Sequence, residues 1–277
     1  MSKILSGIEV RDFKVSKLKT EFKTLDFVPC LAIVQVGSRP DSTAFIRAKQ
    51  NLAKKLEVGT KLINLEENIS TDAIIELIQS LNTDNSINGI IVQLPLPSHI
   101  NAYEVIESID PKKDVDAMTS LNVKNWLLGK EGCLWPATAR GLIEMFGYYN
   151  IDLAHKNVVI IGRSLLVGKP IAMMCLSQNA TVTVCHSQTL NIKEKTKTAD
   201  IIIVATGCKR LLTADYVKAG QIIIDVGISK NDEGSLVGDV DFDTVSNIVE
   251  AITPVPGGVG PMTVLGLFEN LLQVCKK

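Results

Sequence analysis

Apolar runs of strand length alternate along this chain with stretches whose apolar residues recur every three or four positions. In the first half CLAIVQVG (30–37), GTKLINL (59–65) and GIIVQLPLP (89–97) read as strands. Between them TAFIRAKQNLAKKLE (43–57) and TDAIIELIQSLN (71–82) carry helical spacing. NVVIIG (157–162), ATVTVC (180–185), DIIIVATG (200–207) and QIIIDVGI (221–228) repeat the strand pattern in the second half. Near-continuous Val and Ile runs suit strands buried on both faces, as in parallel sheets. Strands alternating with helices predict an α/β class.

The pattern breaks once. From Asp110 to Thr138 the text becomes irregular (DPKKDVDAMTSLNVKNWLLGKEGCLWPAT), which marks a seam between domains. ATARGLIEMFGYYN then reads as a helix crossing into the second unit. The last stretch, GPMTVLGLFENLLQVCKK, has an apolar face and can pack back on the first domain. The expectation is two domains around a cleft. Residues 1–137, with the C-terminal helix 262–277, form the first; residues 138–261 form a Rossmann-like parallel-sheet domain for a dinucleotide.

Composition narrows the choice of partner. Of 277 residues, 46% are hydrophobic and 21% charged, with a net charge of −1, ordinary for a globular protein with a sizeable core. No basic field points to nucleic acid or to an acidic membrane surface. No apolar run approaches the length of a membrane span. The start, MSKILSGIEVRDFK, has no long apolar core and no cleavage signature, so cytoplasm is the expected location. The six cysteines are scattered without a C-x-x-C pair and are expected as free, mostly buried thiols. The three histidines are far apart in sequence, and no metal site is expected.

Four segments carry candidate chemistry. KNVVIIGRSLLVGKP (156–170) is a strand, a glycine loop and a helix start, the arrangement in which a pyrophosphate meets a helix N-terminus. Its glycines are spaced G-x5-G rather than G-x-G-x-x-G, and a plain turn would read the same way. The next strand ends in His186-Ser187-Gln188-Thr189, with no carboxylate for a ribose 2′-OH. Arg163 and Ser187 suit a 2′-phosphate, which favours NADP over NAD. Lys49 shares a helix face with Phe45 four residues before it. A lysine desolvated on that face has a lowered pKa and can transfer protons, whereas most helical lysines are solvated. Gln93 falls at the C-terminal end of a buried strand, where parallel sheets bind ligands. Asp114 and Asp116 lie in PKKDVDA, an acidic turn. ITPVPGGVGPMT (252–263) is stiffened by prolines and bared by glycines, as a loop lying against a flat ligand would be.

VGSRPDS with Lys49, GIIVQLPLP, PKKDVDA, GRSLLVGKP, DVGI, VGDV and ITPVPGGVGPMT occur in this order over nearly the whole chain. Together they resemble the bifunctional methylenetetrahydrofolate dehydrogenase/methenyltetrahydrofolate cyclohydrolase family. The resemblance implies NADP-linked oxidation of 5,10-methylenetetrahydrofolate and hydrolysis of the methenyl product to 10-formyltetrahydrofolate. It implies that Lys49 is central to the hydrolysis, that Gln93 is bonded to it, and that Asp116 holds the pterin. Phe45, Leu94, Pro256, Gly257, Gly258 and Pro261 would line the folate pocket. Gly162, Arg163, Ser164, Val167, Ser187, Gly227, Ile228 and Thr263 would contact NADP. Members of the family are usually homodimers that use strands of the second domain.

Several positions depart from the family pattern. Phe45 stands where a tyrosine usually precedes the lysine by four, so a hydroxyl is lost. PKKDVDA ends at Ala117 where glycine is usual. P-C-T-P-x-G becomes PATARG, with Ala137 and Ala139 at the changed positions, and Glu57 replaces a helix-ending glycine. These changes leave open a dehydrogenase with weak or absent hydrolysis, and a non-catalytic folate- and nucleotide-binding protein. A different two-domain NAD(P) dehydrogenase would share the second domain but has no reason to carry VQLPLP and PVPGGVGPMT.

Overall fold

The computed structural model describes residues 2–231 and 233–276. In chain order the elements begin with β1 (Lys3–Ile4), α1 (Gly7–Phe22), β2 (Cys30–Val36), α2 (Pro40–Leu56), β3 (Gly59–Leu65), α3 (Thr71–Thr83) and β4 (Gly89–Val92). There follow α4 (Ala102–Glu107), α5 (Ser120–Leu127), α6 (Ala137–Tyr149), β5 (Asn157–Ile161), α7 (Gly168–Ser177), β6 (Thr181–Cys185) and α8 (Ile192–Thr198). The chain ends with β7 (Ile201–Val204), β8 (Ile222–Asp225), β9 (Ser229–Lys230), β10 (Leu236–Val237), α9 (Phe242–Val245), β11 (Ala251–Ile252) and α10 (Val259–Cys275). The expected strands and helices all form. Elements that the hydrophobic pattern does not single out are added to them: β1, α1, α4, β9, β10, α9 and β11, and α5, a helix inside the stretch 110–138 expected to be irregular.

The chain divides into two compact units, one of residues 1–12 and 141–263, the other of 13–140 and 264–277. The chain passes from one unit to the other within α1, α6 and α10. The sequence pattern places the first residues with the first domain. β1 instead pairs in parallel with β11, which brings them to the six-stranded sheet. Lys277, assigned by the sequence reading to the last helix, lies outside the described residues.

The unit of residues 13–140 and 264–277 is built on a parallel sheet of order β3-β2-β4. Its central strand β2 is buried along Leu31–Val36, as a Val/Ile run between two neighbours requires. α3 is started by Ser70, whose Oγ accepts from the Ala73 N–H at 3.2 Å, and it buries Ile74, Ile78 and Leu81 against β2 and β4. The Lys113 carbonyl accepts from the Ile90 N–H at 2.7 Å, so the PKKDVDA turn is bonded to the edge of β4.

The other unit carries a parallel sheet of order β1-β11-β8-β7-β5-β6. β7 is buried along its whole length. β6 is not: it is the edge strand, and most of its residues are exposed or half-buried. The expectation of strands covered on both faces therefore holds for the centre of the sheet and fails at this edge, beyond which no further strand lies among the described residues. Among the described residues no helix is long and apolar enough to cross a membrane.

Candidate active site

In the unit of residues 13–140 and 264–277, α2 turns its apolar face to the sheet and buries Ile46, Leu52, Ala53 and Leu56. Lys49 lies on this face and is only 6% exposed. Its ammonium finds one partner at the end of β4: Lys49 Nζ donates to Gln93 Oε1 at 2.8 Å. Gln93 is set for that role. Its backbone N–H extends the ladder by a bond to the Val34 carbonyl (2.8 Å), and its Nε2 donates to the Leu94 carbonyl (2.8 Å), which leaves Oε1 for the lysine. The Leu94–Pro95 peptide is cis. Burial lowers the Lys49 pKa, and the charge of Asp116 opposes that shift.

Asp116 is held by its neighbours. Asp114 is buried and accepts from the Thr119 N–H (2.8 Å) and from Asn122 Nδ2 (2.9 Å). The acidic turn is therefore not a solvated one. Asn270, on α10, donates to the carbonyls of Val115 (2.9 Å) and Trp135 (2.7 Å), tying the turn to the start of α6. There the Ala137 N–H bonds to the Asp116 carboxylate. Burial pushes the Asp116 carboxyl up to about 6, the positive charge of Lys49 pulls it down, and Asp114 raises it. Ala117 takes φ +56°, the conformation a glycine would hold more easily. The Trp126 indole N–H donates to its carbonyl at 3.2 Å. Phe45 is half-buried on α2, one turn before Lys49.

In the other unit the strand–loop–helix of 157–177 has its glycines where side chains do not fit. A Cβ on Gly162 (φ +125°) would lie 2.2 Å from the Ala205 carbonyl oxygen, and one on Gly168 would lie 2.4 Å from that of Gly162. Ser164 Oγ accepts from the N–H groups of Val167 (3.2 Å) and Gly168 (3.3 Å), shaping the start of α7. Arg163, Ser164 and Ser187 are exposed. In the turn after β6 the His186 N–H is bonded to Thr189 Oγ1 (2.9 Å), and no carboxylate stands there. After β8, Gly227 is buried and Ile228 is 37% exposed.

The proline–glycine loop of 252–263 is only partly what its composition suggested. Val255–Pro256 is cis, and Gly257 has φ +103°. The Gly257 carbonyl accepts from the N–H groups of Gly7 (2.8 Å) and Ile8 (3.2 Å) at the first turn of α1. A Cβ on Gly258 would meet the Pro254 carbonyl oxygen at 2.5 Å. The loop's own fold and its seat on α1 thus already require glycine at these positions. Pro256 is exposed, while Pro261 and Thr263 are half-buried.

Two further carboxylates escaped the sequence reading. Asp225 and Asp239 are buried in this unit, at 3% and 0% exposure. Their only signal was the strings DVGI and VGDV, which periodicity alone leaves unremarked. Among the described residues all six cysteines are free thiols, Cys208 exposed and Cys175 and Cys185 buried. No group of three or more His, Cys, Asp or Glu among the described residues is placed to hold a metal ion.

Residues 5–116 match the tetrahydrofolate dehydrogenase/cyclohydrolase catalytic domain, and residues 136–277 match the NAD(P)-binding domain of the same family. The bifunctional protein FolD of Agathobacter rectalis is 46% identical over 273 residues, which cover 99% of this chain and 97% of that protein. The crystal structure of the bifunctional enzyme FolD (methylenetetrahydrofolate dehydrogenase/cyclohydrolase) from Campylobacter jejuni superposes with a TM-score of 0.97 at 42% identity, over 100% of this chain and 99% of that one. The Trypanosoma brucei enzyme complexed with NADP cofactor and inhibitor gives a TM-score of 0.94 at 31% identity, over 99% and 97%. With each half matched and full-length relatives this similar, the chain belongs to the tetrahydrofolate dehydrogenase/cyclohydrolase family.

Proposed function

We propose that this chain oxidises 5,10-methylenetetrahydrofolate to the 5,10-methenyl cation with NADP, and hydrolyses that cation to 10-formyltetrahydrofolate. The observation that carries the reading is the buried Lys49, bonded to Gln93 and facing the charge of Asp116, in a chain of this family. Without the tyrosine hydroxyl usual at position 45, the Lys49–Gln93 bond is still made.

The residues of the strand–loop–helix fit a dinucleotide. The glycines at 162 and 168 let the loop between β5 and α7 pack tightly on itself and on the turn after β7, the strand–loop–helix form off which parallel sheets bind dinucleotides. Bound there, NADP would supply the acceptor for the hydride of the folate methylene carbon. Arg163, Ser164 and Ser187 are exposed cation and hydroxyls for its phosphates, with no acid after β6 to repel a 2′-phosphate. Gly162, Val167, Gly227, Ile228 and Thr263 complete the proposed cofactor contacts. NADP rather than NAD is favoured on these grounds, and the T. brucei relative's NADP complex supports it.

On the folate side, Asp116 in its ionised form accepts the amino and ring N–H donors of the pterin. Phe45 and Leu94 offer apolar contact, and Pro256, Gly257, Gly258 and Pro261 are carried over from the family pattern. Hydride transfer needs the reacting carbon held in place, and no strong base. Hydrolysis needs water added to a cation and protons moved during ring opening. A lysine whose proton affinity is lowered by burial can give and take those protons. Gln93 holds the amine in place by accepting from it and has no proton of its own to lose.

The exposed edge strand β6 supports a homodimer formed through this unit. The six free thiols suit the reducing cytoplasm. A paired assay on the purified protein tests the enzymatic reading. NADP-dependent formation of the methenyl product and accelerated decay of supplied methenyltetrahydrofolate are both expected. Lys49→Ala should lower the second by about a hundredfold or more. Absence of both activities with folate still bound would leave a binding protein.

A further inference from the structure

Asp225 and Asp239 take no part in the chemistry described above, yet both are buried carboxylates at the C-terminal end of the six-stranded sheet. The strand order shows what stands there. The chain leaves β5 toward β6 on one side and leaves its neighbour β7 toward β8 on the other, so the connections after these two strands run in opposite directions. In open parallel sheets ligands bind at such a switch point, outside the carboxyl ends of the two strands. One wall of this crevice is the Gly162 loop after β5. The other is the turn Ala205–Gly207 after β7, in contact with it through the Ala205 carbonyl.

That second turn is held by one side chain. Asp239 Oδ2 accepts from the Thr206 N–H (2.6 Å), Thr206 Oγ1 (2.8 Å) and the Gly207 N–H (2.9 Å). The opposite face of the carboxylate lies on the turn after β8: a Cβ on Gly227 would stand 2.1 Å from Asp239 Cγ. Asp225 fixes the segment that carries Asp239. Its Oδ1 accepts from the N–H groups of Gly227 (3.0 Å) and Asp239 (3.0 Å), and its Oδ2 accepts from Val240 (2.9 Å). Asp239 Oδ1 is buried with no hydrogen-bond partner among the described residues. A carboxylate with one oxygen triply bonded and the other unpaired is a costly way merely to fill space. Charge-assisted bonds to a turn that must keep its shape give a reason for it.

We propose that Asp239 is a positioning residue for the cofactor, holding the turns after β7 and β8 as the wall against which the nucleotide lies. The proposal rests on the NADP reading of this unit. It extends the cofactor site to Thr206 and Gly207, and it makes the carboxylate, rather than a residue touching NADP, the determinant of that wall.

The test uses two readouts on the full chain. NADP affinity is measured by calorimetry, and hydrolysis of supplied methenyltetrahydrofolate, which consumes no NADP, is measured alongside. Asp239→Asn is expected to weaken NADP binding by about tenfold or more and to leave hydrolysis within about twofold. Thr206→Val, which removes one of the three donors, should weaken NADP binding by about threefold with hydrolysis unchanged. A folded Asp239→Asn protein that binds NADP as tightly as wild type overturns the proposal. So does loss of hydrolysis in step with NADP affinity, because that is general damage. Should Asp239→Asn fail to fold, unaltered NADP affinity in Thr206→Val overturns it. Wild-type protein that binds neither NADP nor NAD overturns the cofactor reading itself, a separate outcome.

Discussion

Lys49 and Asp116 lose water together when α2 and the 113–117 turn pack against the sheet. Burial lowers the lysine and raises the carboxyl to about 6, and each charge partly restores the other. The sign of the pH effect follows. A carboxyl whose folded pKa lies above its unfolded value near 3.8 binds its proton more tightly when folded. Its neutral form therefore favours folding at acid pH, a contribution lost as pH rises through about 6. On the proposed function the requirement runs the other way, because it is the ionised form that would accept the pterin donors. The dehydrogenase kcat/KM is expected to fall on the acid side with an apparent pKa near 6, set by Asp116. A pH profile checks this: Asp116→Asn should lose most activity and, in what remains, this acid limb.

Helix ends and turns carry strain at the element scale. α2 ends at Glu57 with φ +61°, where the Val58 N–H bonds back to the Ala53 carbonyl at 3.0 Å. A left-handed helix end favours glycine, and a glutamate there is strained. Its carboxylate compensates on the surface by pairing with Lys19 (2.8 Å) and Lys23 (3.1 Å), contacts that water and salt weaken. Glu57→Gly should therefore raise the thermal midpoint by a few degrees, more clearly at high salt, where the lost ion pairs matter least. A lower midpoint at low salt that disappears at high salt would show that the ion pairs outweigh the backbone, and a lower midpoint at high salt would show that the helix end carries no such strain. Ala117, at φ +56°, carries a similar backbone strain, but its buried methyl favours the residue as it stands.

At the scale of the whole molecule, the proposed chemistry is divided between two α/β units. The lysine, glutamine and aspartate belong to one, and the glycine loop with Arg163 to the other. On the proposed function, cofactor choice is therefore expected to be separable from hydrolysis. Arg163→Ala is expected to raise the KM for NADP by about tenfold or more while changing that for NAD much less, since only NADP carries the 2′-phosphate. Methenyltetrahydrofolate hydrolysis should be unchanged. Equal losses with both cofactors in steady-state kinetics would place Arg163 elsewhere than at the 2′-phosphate.

The α/β alternation, both sets of parallel strands and the family were legible in the chain itself, and so was the bond between Lys49 and Gln93 that the resemblance implies. Local periodicity marks long buried strands, and distinctive strings such as VQLPLP and PVPGGVGPMT carry the family. Short pairings were not legible. β1 and β11 are two residues each, too short for a period, and only their meeting through a parallel pairing makes them strands. The tertiary structure also decided how deeply each charged group is buried. Asp114 reads as a solvated turn residue until Thr119 and Asn122 close over it. Asp239 lies 33 residues from the turn it holds, and no local pattern reports such a bond. Burial and hydrogen bonding between distant segments set the proton affinities and the shape of the cofactor wall, and those are properties of the fold rather than of any stretch of sequence.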